Sequence, residues 1–143
     1  VCTPGDIAAY ESYEPDPRIV AAVSMESRLD SNLYADASFA DLEAPIFHMS
    51  GSESNDATEL FARASGANLT WASFIGGCHE SFTGTLVCPT LPLDESLSAT
   101  ATYAIAFATR HVLGSEDPAV AAVLDGSTEV SAAVELMHSP RAE

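Results

Sequence analysis

Lysine is absent from this chain, and five arginines face 21 acidic side chains over 143 residues. The formal charge of −16 argues against nucleic acid or an anionic membrane surface as a partner. No run approaches the roughly 18 apolar residues that a membrane-spanning helix needs. No secretory leader is visible, so any targeting segment is expected outside this stretch. Cysteine occurs three times, as Cys2, Cys78 and Cys88, with no second close pair and no Cys/His partner set. That spacing does not resemble a zinc pattern, and neither a metal nor a cofactor is expected. Repeats, low-complexity tracts and internal linkers are also missing. What remains is 47% apolar, enough to bury the core of one domain over residues 1–143 despite the charge.

The apolar residues fall into recognisable runs. Arg18 to Met25 and Pro45 to Met49 are continuous rather than alternating. Such runs read as strands buried on both faces, as in a parallel sheet covered by helices. Asn68 to Ile75 is a third strand, ending in Gly76-Gly77. Between the second and third, Asn55 or Asp56 can cap a helix that Gly66 ends, with Leu60, Phe61 and Ala64 on its apolar face. Glu95 to Leu113 is the longest helical pattern, and Gly114 stops it. Asp117-Pro118 opens a shorter helix that Gly126 closes. Val130 to Met137 fits a strand or a helix equally well. The order strand, strand, helix, strand, helix implies an α/β layer fold.

The chemistry concentrates in Trp71 to Cys88. A strand ends on a glycine pair, and His79 follows on a loop bounded by two cysteines. Imidazole titrates near neutrality and serves as base and acid within one cycle. A Cys78–Cys88 disulfide is predicted to close this loop, worth about 3 kcal/mol by chain entropy. It implies an oxidising, secreted or periplasmic setting. Cys2 is then odd, and has an intermolecular partner or a free thiol. The second strand leads to Gly51-Ser-Glu-Ser-Asn-Asp56. In a parallel sheet both strand ends share one edge, so a carboxylate and His79 are brought together there. Other histidines read differently. His48 is a core residue with a backbone partner, His111 lies near a helix C-terminus, and His138 is at the surface. Trp71 reads as core. Met25 and Tyr34 follow the first strand towards the same edge and fit loop packing or an acyl pocket.

Residues 15 to 125 resemble the C-terminal half of an α/β-hydrolase, on the dienelactone-hydrolase, cutinase-like polyesterase and platelet-activating-factor acetylhydrolase side. Asp16-Pro17-Arg18-Ile19-Val20-Ala21-Ala22-Val23 resembles the strand after the nucleophile helix. Ala44 to Gly51 resembles the strand leading to the triad acid. Phe74 to Phe82, FIGGCHESF, resembles the strand and loop bearing the triad histidine. The resemblance implies a serine esterase acting on small or polymeric esters through an acyl-enzyme, with His79 as base.

No Gly-x-Ser-x-Gly elbow occurs in this chain. Family order is serine, acid, histidine. The nucleophile is therefore expected on a separate N-terminal chain of the same hydrolase, making a two-chain or cleaved enzyme. For the acid, the family pattern places Asp three or four residues after the glycine, where Ser54 and Asn55 stand. Asp56, one residue later, is the first choice, and Glu53 is the second. Glu26 and Asp30 are nominated by those hydrolases that take the acid after the preceding strand. The competing reading is a non-catalytic acidic binding or structural domain that keeps the hydrolase layout.

Overall fold

The computed structural model describes residues 3–5, 8, 16–26, 44–53, 58, 61, 68–84 and 88–139. Within them run β1 (Ala22–Met25), β2 (Ile46–Gly51), β3 (Leu69–Phe74), a 3-10 turn (His79–Phe82), α1 (Leu93–His111), α2 (Pro118–Leu124) and β4 (Val134–Ser139). The strands form one sheet in the order β1-β2-β3-β4. β1, β2 and β3 are parallel, and β4 returns antiparallel to β3. The architecture is thus an α/β arrangement of a mixed four-stranded sheet with two helices. No helix among the described residues is long and apolar enough to cross a membrane.

Register decides which side chains share a face. Met49 lies opposite Ala72, and Gly51 opposite Phe74. Phe47, Met49, Ala72 and Phe74 therefore share one face, where they meet Ala99, Tyr103 and Phe107 of α1. Phe47 lies 5.7 Å from the Tyr103 ring and 5.5 Å from that of Phe107. Each fully buried aromatic of this kind contributes about 2–3 kcal/mol. α1 carries acids in its first turn and Arg110 and His111 in its last, complementing the helix dipole. Asp117 caps α2 by accepting the Ala119 N–H at 2.9 Å, with Pro118 at the first helical position.

The other face of the sheet is buried but polar. His48, Ser50, Trp71 and Ser73 lie there, each under 9% exposed. Trp71 donates its indole N–H to Ser50 Oγ at 2.9 Å. The Phe61 ring sits 6.1 Å from that of Trp71. His48 is a core residue, as expected, but its partner is a side chain and not the backbone. Its Nδ1 lies 3.2 Å from Ser24 Oγ on the neighbouring strand.

Two expectations change, and one open reading is settled. β1 covers only the second half of the predicted run, and it is not buried on both faces, since Val23 is 41% and Met25 43% exposed. It is the edge strand, and among the described residues nothing pairs with its outer side. The ambiguous segment after Val130 is a strand, held by pairing with β3. The stretch from Cys78 to Asp94, expected as loop, contains the 3-10 turn. Of the helix expected from Asp56 to Gly66, only Thr58 and Phe61 lie within the described residues, and Cys2 and Tyr34 lie outside them.

Burial lowers the His48 pKa to about 4, against an ordinary value near 6.5. The unfolded chain thus binds a proton that the folded chain refuses between those values. Stability from this group is full above pH 6.5 and is lost as pH falls towards 4, by about 3 kcal/mol in total. Urea unfolding at pH 7.5 and pH 4.5 should show most of that difference in the native protein. His48→Gln should remove it. An equal loss in the variant would assign the acid sensitivity to other groups.

Candidate active site

At the carboxyl edge of the three parallel strands, β1 delivers Glu26. Its N–H stays in the ladder, donating to Met49 O at 2.9 Å. Its φ of 51° is the only positive value among the described non-glycine residues. A left-handed backbone there costs about 1–2 kcal/mol, and such strain concentrates at functional positions. The Glu26 carboxylate is buried, with its side chain 4% exposed. Oε1 accepts the backbone N–H of Gly51 at the end of β2. Oε2 faces His79 Nδ1 across 3.9 Å.

β3 delivers His79 through a firmly tied loop. Gly76 turns with φ 73°, and a Cβ there would meet Thr90 Oγ1 at 2.4 Å, so glycine is required. Thr90 donates to Gly76 O at 2.7 Å, and Gly76 N–H donates to Ser52 Oγ at 2.9 Å. Cys78 and Cys88 are disulfide-bonded. Ser81 Oγ accepts the Cys78 N–H at 3.0 Å, and Ser96 of α1 donates to Ser81 O at 2.9 Å. The 3-10 turn is thereby fixed to the start of α1. His79 itself remains open, with its side chain 64% exposed.

An exposed imidazole beside a buried carboxylate is a usable acid–base pair. The 3.9 Å separation is ion-pair range and too long for a hydrogen bond. Such contacts commonly tighten only when substrate is bound. Because Nδ1 faces Glu26, Nε2 is left for a reacting group.

Of the two sequence-nominated acids among the described residues, Glu26 and Glu53, Glu26 faces His79. Glu53 is exposed and meets the histidine loop through its backbone, donating its N–H to Gly77 O at 2.9 Å. Asp56 and Asp30 lie outside the described residues. Thr90, Ser52, Ser81 and Ser96, which hold the loop, were not singled out in the sequence. The one local signal was Ser81 three residues after Cys78, the offset of a capping box. Among the described residues, no group of three or more His, Cys, Asp or Glu is arranged to hold a metal ion. No protein-family model, curated protein or solved structure matches the chain.

The disulfide closes a loop of sequence separation 10 around His79. Cys88→Ala should therefore lower unfolding stability by about 3 kcal/mol. A non-reduced digest of the native protein should contain the Cys78 and Cys88 peptides joined in one mass. Two free thiols at these positions would remove the link and, with it, the argument for an oxidising compartment.

Proposed function

We propose that this chain is the base-bearing part of a serine esterase of α/β-hydrolase type, with His79 as general base and acid and Glu26 as the acid that orients it. The observation that carries this reading is the Glu26–His79 juxtaposition at the carboxyl edge of parallel β1, β2 and β3. Ligands in open α/β sheets bind outside such an edge. The resemblance of Phe74 to Phe82 to the histidine loop of those hydrolases supports the same assignment.

The chemistry follows the triad pattern. A serine hydroxyl on the partner chain attacks the ester carbonyl while His79 Nε2 takes its proton. The imidazolium formed is stabilised by the buried Glu26 carboxylate at Nδ1. His79 returns the proton to the leaving alcohol, and water then deacylates the serine by the same route. Glu26 holds one carboxylate oxygen on the Gly51 N–H, and its other oxygen lies 3.9 Å from the ring Nδ1. Oxyanion donors come from backbone amides near the nucleophile.

A partner chain carrying Gly-x-Ser-x-Gly is part of the proposal. Its support is the outer side of β1. Ala22 and Glu26 donate their N–H groups towards β2, so strand alternation directs those of Val23 and Met25 outward. Ile19, Val20, Val23 and Met25 are 41–60% exposed beside that edge. Among the described residues nothing pairs with this apolar edge, and an edge strand of this kind accepts another strand. The disulfide supports a secreted or periplasmic setting.

His79→Ala should lower kcat for an activated ester by about 10³-fold or more, with stability changed by no more than about 0.5 kcal/mol at so exposed a position. Glu26→Gln should cost about 10²–10⁴-fold. A serine-directed phosphonate should label a residue outside 1–143. If Asp56→Asn is damaging and Glu26→Gln is not, Asp56 is the acid. Failure of the native protein to take phosphonate or turn over any ester would leave the non-catalytic acidic module.

A further inference from the structure

We infer that Gly51 is a positioning residue, and that its backbone contact with Gly77 sets the distance between Glu26 and His79. This rests on the acid–base reading above.

Gly51 touches both halves of the pair. Its N–H holds Glu26 Oε1. Its Cα faces the peptide that leads into His79. A Cβ on Gly51 would stand 2.3 Å from Gly77 O, 2.4 Å from Gly77 C and 2.7 Å from Cys78 N, whereas ordinary contact begins near 3.4 Å. All three obstacles are backbone, so no side chain can rotate away. The glycine is not needed for its own conformation, because Gly51 is absent from the positive-φ glycines. It is needed because two chains pass within backbone distance of each other.

The crossing is also the shortest route between acid and base. From Gly51 the path runs through one hydrogen bond to the Glu26 carboxylate. In the other direction it runs through one peptide to Cys78 and then His79. The surrounding ties prevent the loop from sliding around an added methyl group. Ser52 N–H donates to Phe74 O at 2.9 Å, and Glu53 N–H donates to Gly77 O at 2.9 Å. Cys78 is bonded to Cys88 on the far side. A methyl group at Gly51 must therefore push the Gly77–Cys78 peptide away by about 1 Å. Because Gly51 N–H stays with Glu26, the carboxylate does not follow the displaced loop. His79 moves away from its acid.

Misplacement of a catalytic group by about 1 Å costs about 10²-fold in rate. Gly51→Ala in the native protein should thus lower kcat for a neutral activated ester by about 10–100-fold while KM stays within about twofold. The decisive readout is a double-mutant cycle with Glu26→Gln. If Gly51 acts through the pair, adding Gly51→Ala to Glu26→Gln should cost less than threefold more. Multiplicative losses would show a general structural defect and overturn the inference. A crystal structure of Gly51→Ala should show the Glu26–His79 separation widened, and an unchanged separation overturns the inference whatever the turnover. Should Gly51→Ala not fold, Gly77→Ala probes the crossing from the other side more gently, its Cβ meeting Gly51 Cα at 3.3 Å and Phe74 at 3.0 Å. Full kcat in that variant would likewise overturn it. A wild-type protein that hydrolyses no ester defeats the esterase reading, and the measured separation still decides the role of Gly51.

Discussion

The buried carboxylate of Glu26 on the backbone N–H of Gly51 is the interaction on which the site depends. A carboxylate cannot be left without partners at 4% exposure. It turns off the end of β1 in a left-handed conformation and takes a donor at the end of β2. That choice ties two strand ends together. β3 joins through the close approach of Gly77, and the histidine loop is then drawn up to the acid. The parallel arrangement is what makes this possible, because it places the ends of β1, β2 and β3 at one edge.

Much of the fold was legible because its elements follow strong local rules. β2 and β3 read as strands without alternation, and both are buried along nearly their whole length although one face is polar. α2 begins at Asp117-Pro118 and ends before Gly126, as capping chemistry requires. β1 is shorter than its apolar run, and hydrophobicity alone does not distinguish a central strand from an edge strand. β4 was undecidable for a different reason. Val134–Ser139 mixes apolar and polar residues too briefly for a period to emerge, and pairing with β3 decides its conformation.

The site was legible in part. His79 stood out because a glycine pair and two cysteines frame it, and those features are local. The acid was harder. A motif offset favours Asp56, which lies outside the described residues, whereas topology brings Glu26 to His79. Glu26 lies 53 positions before His79, at the end of a different strand, and no sequence spacing encodes their juxtaposition. The Gly51–Gly77 crossing was invisible for a related reason. A glycine after a strand reads as a turn, yet Gly51 is the last residue of β2 and owes its identity to a neighbouring backbone.

Charge is arranged along the strand axis in a way that suits the proposed chemistry. Arg18 precedes β1 and pairs with Asp16 at 2.6 Å. Arg110, His111, His138 and Asp125 gather near Thr70, at the start of β3. These groups lie at the amino edge of the parallel strands. The opposite edge holds Glu26, Glu53 and Glu80, together with His79. Under the esterase reading, the imidazolium that forms for an instant at His79 faces the buried Glu26 carboxylate. A developing oxyanion gains nothing from the same carboxylates. Under the esterase reading the two charges of the transition state must then be handled by different parts of the molecule. The positive one falls to this chain, and the negative one to backbone amides beside the nucleophile.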